Sequence, residues 1–325
     1  MRRSGETGWK TSPARGFVKF RAYWTNMREG SENTIGIDVG GTNIRAARIS
    51  SDGRLNGRVT ERVVSDRDGF LTQVLRLIND LRNAGTRAVG IGIPGRIEAG
   101  TQRILSAGYL DIAGLDLRAQ VEAGAGLPAM IANDATMALI AEAAIGHDDQ
   151  SGLILMVTVG TGIGGAAVMD GRPWQGGGIA GQFGHIVVAS DGPVCNCGRR
   201  GCVETQSSGT ALGRLIVGED LPADTRAGDL LARAANGEAV PIAILADWAE
   251  PMRRALETLV AVADPKLIVI GGGLGAEMAA ALARLPKGNS WFGLPVATAQ
   301  LGDDAGVIGA GLAVMPAAKD DVGVP

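Results

Sequence analysis

Hydrophobic and polar positions follow the same order twice, once in each half of the chain. From Thr34 a short apolar strand (TIGIDV) leads into a glycine turn (GGTN), a second strand (IRAARIS) and an Asp-Gly turn. From Leu153 the order recurs as LILMVTV, GTGIGG, AAVM and a second Asp-Gly turn. An Asp-Gly pair between apolar strands is a strong hairpin signal. The pattern therefore predicts two domains of one architecture that face each other.

After each block the apolar positions take a helical spacing, with one stripe on each helix. The two stripes comprise Phe70, Val74, Leu77, Ile78 and Leu81 in the first half, and Trp248, Met252, Ala255, Leu256 and Leu259 in the second. Pro251 predicts that the second of these helices kinks or restarts. Two more apolar strands are predicted at 88–94 and 267–273; Gly95 follows the first, and the second ends in glycine. The sequence thus predicts a mixed α/β protein in two halves.

Composition and charge narrow the class of protein. The chain has 325 residues, of which 46% are apolar, enough for two domains with their own cores. A net charge of −3 without a basic block leaves no electrostatic footprint for nucleic acid. No apolar run reaches the ~18 residues that a membrane span requires. Residues 1–32 are polar and have neither a usable period nor an apolar signal region, so we expect a disordered extension. The first 26 residues could instead be an upstream translation artefact, or an ordered arm that docks through its aromatic residues.

All three cysteines lie in one short segment. Cys195, Cys197 and Cys202 have the spacing C-x-C-x4-C, and His185 lies ten residues upstream of the first. Three thiolates and one imidazole form a complete tetrahedral zinc set with no open position, which predicts a structural metal. The alternative is three unrelated reduced cysteines in a core, but the clustering among glycines and arginines favours zinc. An odd, clustered set also argues against disulfides and for a reducing cytoplasm.

The second glycine turn contains G-x-G-x-x-G at Gly160, Gly162 and Gly165, which invites a dinucleotide-binding interpretation. That fingerprint requires a helix directly after the glycines, whereas here a second strand and a turn follow. A strand–turn–strand unit can instead present successive backbone N–H groups to an anion. Two such turns, one in each domain, would hold one polyphosphate from both sides.

With these features placed, the chain resembles the ROK family (repressors, open reading frames and kinases) of the sugar kinase, actin and heat-shock chaperone superfamily. The matching motifs run in family order from residue 33 to about 315: IGIDVGGTN (35–43), GIPG (92–95), ANDAT (132–136), VTVGTGIGG (157–165), GQFGH (181–185), CNCGRRGCVE (195–204), VIGGGL (269–274) and GDDAGVIGAG (302–311).

The resemblance implies two ribonuclease H-like domains that flank a central cleft, the actin-like ATPase fold, with a zinc-stabilised loop. The first lobe would span 33–145, the second 146–302 with the zinc motif, and a C-terminal helix at 303–319 would pack back on the first. ATP and a sugar would lie in the cleft. We also expect Mg²⁺ as a cofactor and a cytoplasmic homodimer.

The family roles carry over to individual positions. For ATP and its magnesium, the resemblance implies Asp38, Gly40, Gly41, Thr42, Asn43, Gly160, Thr161, Gly162, Gly271, Gly272 and Gly273. For the sugar, it implies Gly95, Asn133, Asp134, Gln182, His185 and Glu204, with Asp134 as the catalytic base and His185 also as a zinc ligand.

Four of these residues also have an ordinary structural explanation. Asp38, at the end of an apolar strand, could cap a turn, although a carboxylate buried there would call for a cation. Asn133 and Asp134 precede a helical run, so either could be an N-cap. Glu204 alone would be a surface glutamate, and His147 is expected on the surface.

Two departures from the family matter. The family usually has Glu at the position of Gln182, so a charge is lost there. The segment before the first phosphate motif is too short for the helix-turn-helix domain of the family's repressors. We therefore expect an ATP- and Mg²⁺-dependent kinase for the 6-hydroxyl of a hexose or N-acetylhexosamine. The alternatives are a non-catalytic sugar-sensing protein, and a zinc-stabilised nucleotide-binding module without sugar.

Overall fold

The computed structural model describes residues 32–98, 101–108, 110–176, 179–286 and 292–315. The expected N-terminal extension lies outside these residues except for its last position, and so does the end of the expected C-terminal helix. Within the described residues the chain forms two five-stranded sheets and a short two-stranded hairpin.

The first sheet comes from the first half of the chain. Its strands are β1 (Asn33–Val39), β2 (Asn43–Ser50), β3 (Leu55–Arg62), β4 (Thr86–Ile93) and β7 (Ala129–Asn133), and the small hairpin is β5 (Arg96–Ile97) with β6 (Ile104–Ser106). The strand order is β3-β2-β1-β4-β7. β1 pairs antiparallel with β2 and parallel with β4, which pairs parallel with β7. The predicted hairpin and the strand at 88–94 are both present.

The second sheet repeats this plan. Its strands are β8 (Leu153–Val159), β9 (Ile163–Met169), β10 (Arg172–Pro173), β11 (Leu267–Gly271) and β12 (Val296–Thr298), in the order β10-β9-β8-β11-β12. β8 pairs antiparallel with β9 and parallel with β11, which pairs parallel with β12. The duplication predicted from the sequence is therefore confirmed, and a strand rather than a helix follows the GTGIGG turn.

The helices connect and cover the sheets. They are α1 (Arg67–Leu81), α2 (Leu117–Ala125), α3 (Asp134–Ala141), α4 (Glu204–Ser207), α5 (Gly209–Gly218), α6 (Ala227–Ala235), α7 (Ala239–Ala263), α8 (Gly275–Arg284) and α9 (Ala305–Ala313). Every residue of the two predicted apolar stripes is buried, on α1 and α7. α7 continues through Pro251 as one helix of 25 residues, so the predicted restart does not occur.

Three hydrophobic clusters form the core. One packs α1 and α2 on the first sheet, one packs α5 to α8 on the second, and the third lies around α3 and α9 with residues from both sheets. α9 packs closely against β1, β4 and α3. A Cβ at Gly90 would lie 1.8 Å from the carbonyl oxygen of Ala310, and one at Gly309 would lie 1.6 Å from that of Met137. Only glycine permits this approach of backbone to backbone.

No helix in the described part of the chain is both long and apolar enough to cross a membrane.

Candidate active site

A cavity of about 680 Å³ lies at the carboxyl ends of the central strands of both sheets. Asp38 and Thr158, each the penultimate residue of the first strand of its hairpin, both line it. Of the site residues expected from the sequence, those that line the cavity are Asp38, Gly95, Asn133, Asp134, Gln182, Gly271, Gly272 and Gly273. The cavity thus brings together residues from motifs distributed over most of the chain.

Asp38 occupies a mostly buried position on β1. Its carboxylate lies 3.5 Å from the Arg45 guanidinium, which also contacts Asp303 at 3.1 Å. Burial, followed by the nearby charge of Asp134, raises the pKa of Asp38 to about 6, and the Arg45 charge opposes this rise. A Cβ at Gly306 would come within 2.6 Å of the carboxyl group, so the start of α9 leaves room for it. A carboxylate in this setting is suited to a cation.

Asn133 is the N-cap of α3. Its Oδ1 accepts a hydrogen bond from the Ala135 N–H at 3.0 Å, and its Nδ2 donates to the Gly95 carbonyl at 2.9 Å. The side chain therefore fixes both the helix start and the Gly95 turn. For Asn133 and Asp134 the sequence left a helix cap as the alternative role, and Asn133 has that role.

Asp134 begins α3 beside this cap. Its Oδ1 accepts a second, 2.8 Å hydrogen bond from the same Ala135 N–H. Burial raises the pKa of Asp134 to about 6, although the backbone hydrogen bond from Ala135 opposes the shift. A carboxyl group with a pKa just below neutral is ionised at pH 7 yet basic enough to accept a proton, which suits a general base.

The two hairpin turns follow cavity residues within a few positions but do not themselves line the cavity. In the first turn, the Gly40 N–H donates to the Asn43 carbonyl at 2.9 Å, while Gly41 and Thr42 are exposed. In the second turn, spanning 160–162, the Gly160 N–H donates to the Gly162 carbonyl at 2.9 Å. Binding of phosphate by either turn stays a prediction.

The start of α5 holds the second turn in place. The Gly160 carbonyl accepts from the Gly209 N–H at 2.7 Å, and the Thr161 carbonyl accepts from the Thr210 hydroxyl at 2.8 Å.

The Gly271–Gly273 segment passes close to the second hairpin. Gly272 has a φ of +85°, and a Cβ there would lie 2.5 Å from the Val159 carbonyl oxygen. The Leu274 N–H donates to that same carbonyl at 2.9 Å. Glycine at 272 is therefore required by both the conformation and the close approach.

Glu204 faces the second turn rather than the cavity. Its Oε2 accepts from the Ile163 N–H at 2.9 Å, and a Cβ at Gly162 would lie 2.7 Å from the same oxygen. His185 does not line the cavity either, whereas Gln182, one turn before it, does. Sugar contacts by Glu204 and His185 therefore stay predictions, and in this structure Glu204 supports the backbone of the turn.

The expected zinc ligands form one cluster. One donor atom from each of His185, Cys195, Cys197 and Cys202 lies within 4.8 Å of the others. Cys195 Sγ is 3.5 Å from His185 Nδ1, and Cys197 Sγ is 3.6 Å from Cys202 Sγ. Tetrahedral zinc with bonds of about 2.3 Å to sulfur and 2.0–2.1 Å to nitrogen places ligand atoms roughly 3.5–3.8 Å apart. The donor set and its spacing therefore fit a closed structural zinc site.

The surroundings act in opposite directions on two of the thiols, and burial raises the pKa of Cys202 to about 12. The backbone N–H and then the side chain of Arg199 hold the pKa of Cys197 down at about 6, which favours the thiolate. The Arg199 guanidinium also donates to the His185 carbonyl at 2.8 Å. The ligand cluster is thus supported by its own loop.

Four charged residues that line the cavity have no role assigned from the sequence: Arg45, Arg96, Glu142 and Asp303. Arg45 could have been found, because the hairpin register pairs it directly with Asp38 across the two strands. Asp303 lies in the quoted GDDAG motif, but the motif carried no role for it. Glu142 gave no local signal, since its partners lie far away in the sequence.

Two duplicated sheets around a shared cavity, with two largely buried carboxylates and a Cys₃His loop, agree with the actin-like fold that the family resemblance implies. The sequence model of the ROK family matches residues 34–316. The chain therefore belongs to the ROK family.

Sequence relatives point to sugar kinases. The chain is 30% identical to a glucokinase of Halalkalibacterium halodurans over 308 residues, which cover 85% of this chain and 93% of that protein. It is 32% identical to an N-acetylmannosamine kinase of Citrobacter koseri over 289 residues, 86% of this chain and 98% of that one. These relatives support sugar phosphorylation as the general activity.

A solved structure shares the fold. The ROK family glucokinase of Streptomyces griseus, determined in complex with glucose and AMPPNP, superposes with a TM-score of 0.69 at 28% identity. The match covers 86% of this chain and 98% of that one.

Proposed function

We propose that the protein transfers the γ-phosphoryl group of ATP to a hydroxyl, the 6-hydroxyl, of a hexose or N-acetylhexosamine. The observation that carries the proposal is the pair of largely buried carboxylates, Asp38 and Asp134, in one cavity, each with a pKa raised to about 6. They come from the two motifs to which the family resemblance gives the phosphate and the sugar roles.

Asp134 is the proposed base. At pH 7 a carboxyl group with a pKa of about 6 is mostly ionised, so it can accept the proton of a sugar hydroxyl. Phosphoryl transfer through a loose transition state depends mainly on positioning and charge stabilisation. Asn133 caps α3 and donates to the Gly95 carbonyl, so it would hold Asp134 at a fixed position relative to the Gly95 turn.

Asp38 and the glycine segments form the proposed ATP side. The acidic surroundings of Asp38 fit Mg²⁺, which would neutralise phosphate charge when bound. Gly271, Gly272 and Gly273 line the cavity and would pack against the adenosine. The hairpin turns at 40–43 and 160–162 would present backbone N–H groups to the phosphates. The nucleotide analogue in the Streptomyces griseus glucokinase supports ATP as the donor.

Gln182, which also lines the cavity, is the residue proposed to influence which sugar binds. An amide offers one donor and one acceptor face, whereas a carboxylate only accepts. Glucose and N-acetylmannosamine kinases both occur among the relatives, so both classes of sugar are candidates. The Gln182 amide suits a substrate that presents an acceptor, such as an acetamido carbonyl.

We further propose a structural zinc ion held by the Cys₃His cluster, which would fix the loop between Gln182 and Glu204. The lobes would be 33–145 and 146–302, with the final helix returning to the first lobe; the packing of α9 against β1 and β4 supports this division. A cytoplasmic homodimer completes the proposal, and size-exclusion chromatography with light scattering tests its stoichiometry.

ADP release from Mg-ATP on a panel of hexoses and N-acetylhexosamines tests the function, with ¹³C or ³¹P NMR of the product identifying the phosphorylated hydroxyl. Turnover above the rate without sugar supports a kinase. Sugar binding without turnover would instead support the sugar-sensing alternative, against which the retention of both cavity carboxylates argues.

A further inference from the structure

Glu142 is a fully buried carboxylate with no role so far. It lies at the end of α3, where the helix widens into a π-helical turn at Glu142–Gly146. Its oxygens accept hydrogen bonds from the Gln300 N–H at 2.9 and 3.0 Å and from the Leu301 N–H at 2.8 Å. Burying an ionised carboxylate is costly unless hydrogen bonds replace water, and here two backbone amides do so.

This contact lies where the chain passes between the two sheets. After α3 the chain leaves the first sheet and enters β8 of the second, and after β12 it returns to α9, which packs on the first. Glu142 belongs to the first passage, and Gln300 and Leu301 belong to the second. His147 adds a further link, because its Nδ1 lies 3.3 Å from Gln300 Nε2 and its Nε2 lies 3.8 Å from Glu142 Oε2. The two passages are thus joined by side chains.

Both ends of this link lead to a cavity carboxylate. On one side, Asp134 is the first residue of the helix that Glu142 follows, about 12 Å away at the rise of an α-helix. On the other side, Asp303 lies two residues after Leu301. Its carboxylate contacts Arg45 at 3.1 Å, and Arg45 in turn contacts Asp38. The chain from Leu301 therefore supports the surroundings of Asp38.

We propose that Glu142 is a positioning residue that sets the place of the Asp38 side of the cavity relative to Asp134. It ties the helix that carries the proposed base to the segment that carries Asp303 and α9. The inference rests on the proposed kinase function for its kinetic consequence, but the tie itself is a property of the folded chain.

The test compares the wild type with Glu142→Gln, using Glu219→Gln, an exposed glutamate, as the matched control. Gln keeps the volume but has one acceptor oxygen, and its NH₂ group faces an amide donor. In the wild type, hydrogen exchange at the amides of Gln300 and Leu301 should be slow. In Glu142→Gln it should accelerate there and across 302–306, while the central strands keep their protection.

Kinetics give the second measurement. Glu142→Gln should lower kcat/KM for ATP by about tenfold or more, as expected when a buried hydrogen bond to a charged acceptor is lost. The dissociation constant for sugar, measured without ATP, should stay unchanged, because the Asn133–Gly95 hydrogen bond on the sugar side is not part of the tie. The Glu219→Gln control should match the wild type in every measurement.

Fast wild-type exchange at Gln300 and Leu301 would overturn the tie. Faster exchange in Glu142→Gln with an unaltered kcat/KM for ATP would overturn the positioning role and leave a purely structural contact. If Glu142→Gln does not fold, Glu142→Asp replaces it: it keeps the charge but shortens the side chain, so the hydrogen bonds from the Gln300 and Leu301 N–H groups should weaken and exchange across 302–306 should accelerate. No change there would overturn the tie. A wild type that phosphorylates no sugar refutes the proposed function, while the exchange results still decide the tie.

Discussion

Replacement of Asp134 by Asn should abolish most turnover and at the same time stabilise the fold. The carboxylate is largely buried, and its pKa is raised to about 6 from an ordinary value of 3.8. The folded state therefore binds the Asp134 proton more tightly than the unfolded state does. This favourable contribution is complete below about pH 4 and is lost as pH rises through 6. An amide never ionises and escapes that loss.

The magnitude follows from the shift in pKa. A difference of about two units between the folded and unfolded states corresponds to roughly 3 kcal/mol once both states are ionised, at 1.36 kcal/mol per unit. The carbonyl oxygen of the substituted amide would still accept the Ala135 N–H, and Asn133 still caps the helix, so no hydrogen bond is lost. Asp134→Asn should therefore be more stable than the wild type by up to about 3 kcal/mol at pH 8 and by little at pH 4.

Catalysis should change in the opposite direction. Loss of the proton acceptor should reduce kcat by about 10²–10⁴-fold, with sugar and ATP binding retained. In the wild type, kcat should fall as pH drops below about 6, because Asp134 becomes protonated. The assays are ADP release, sugar binding by calorimetry, and urea unfolding at pH 4 and pH 8. Activity within a few-fold of wild type, or a stability change that is equal at both pH values, would refute the reasoning.

Three further predictions concern the rest of the site. Elemental analysis should find about one zinc per chain, and Cys197→Ser should lose both the metal and several degrees of melting temperature, because a closed thiolate site contributes folding free energy; a metal-free protein of full stability would contradict this. Gln182→Glu should change the ranking of sugars by kcat/KM and leave the KM for ATP unchanged; an unaltered ranking would mean that residue 182 does not face the sugar. Gly272→Ala should raise the KM for ATP and lower the free energy of unfolding in urea by about 1–3 kcal/mol, because its φ of +85° and the 2.5 Å approach to the Val159 carbonyl exclude a side chain. Wild-type values of both quantities would show that β8 and the segment after β11 can move apart at little cost.

Much of the fold follows from local patterns in the sequence. Both hairpins, the strands predicted at 88–94 and 267–273 and the apolar stripes of α1 and α7 occur close to where the periodicity predicts them, because each depends on neighbours within a few residues. The Cys₃His cluster has the same origin, since three of its ligands lie within one short loop. Pro251 was predicted to kink or restart its helix, and of these two outcomes the restart does not occur. The helix continues with its buried face in the core of the second half on both sides of the proline.

The sequence by itself therefore determined the α/β class, the duplicated hairpins and the family. Tertiary structure alone decided which polar groups share the cavity. Burial through packing raises the pKa values of Asp38 and Asp134, and the Asp134 charge adds to the shift at Asp38. Glu204 accepts the Ile163 N–H rather than lining the cavity. The contact of Glu142 with Gln300 joins residues 158 positions apart in the chain, one before the first strand of the second sheet and the other after its last strand. Periodicity describes one element at a time, whereas such contacts depend on how α3 and α9 pack between the sheets.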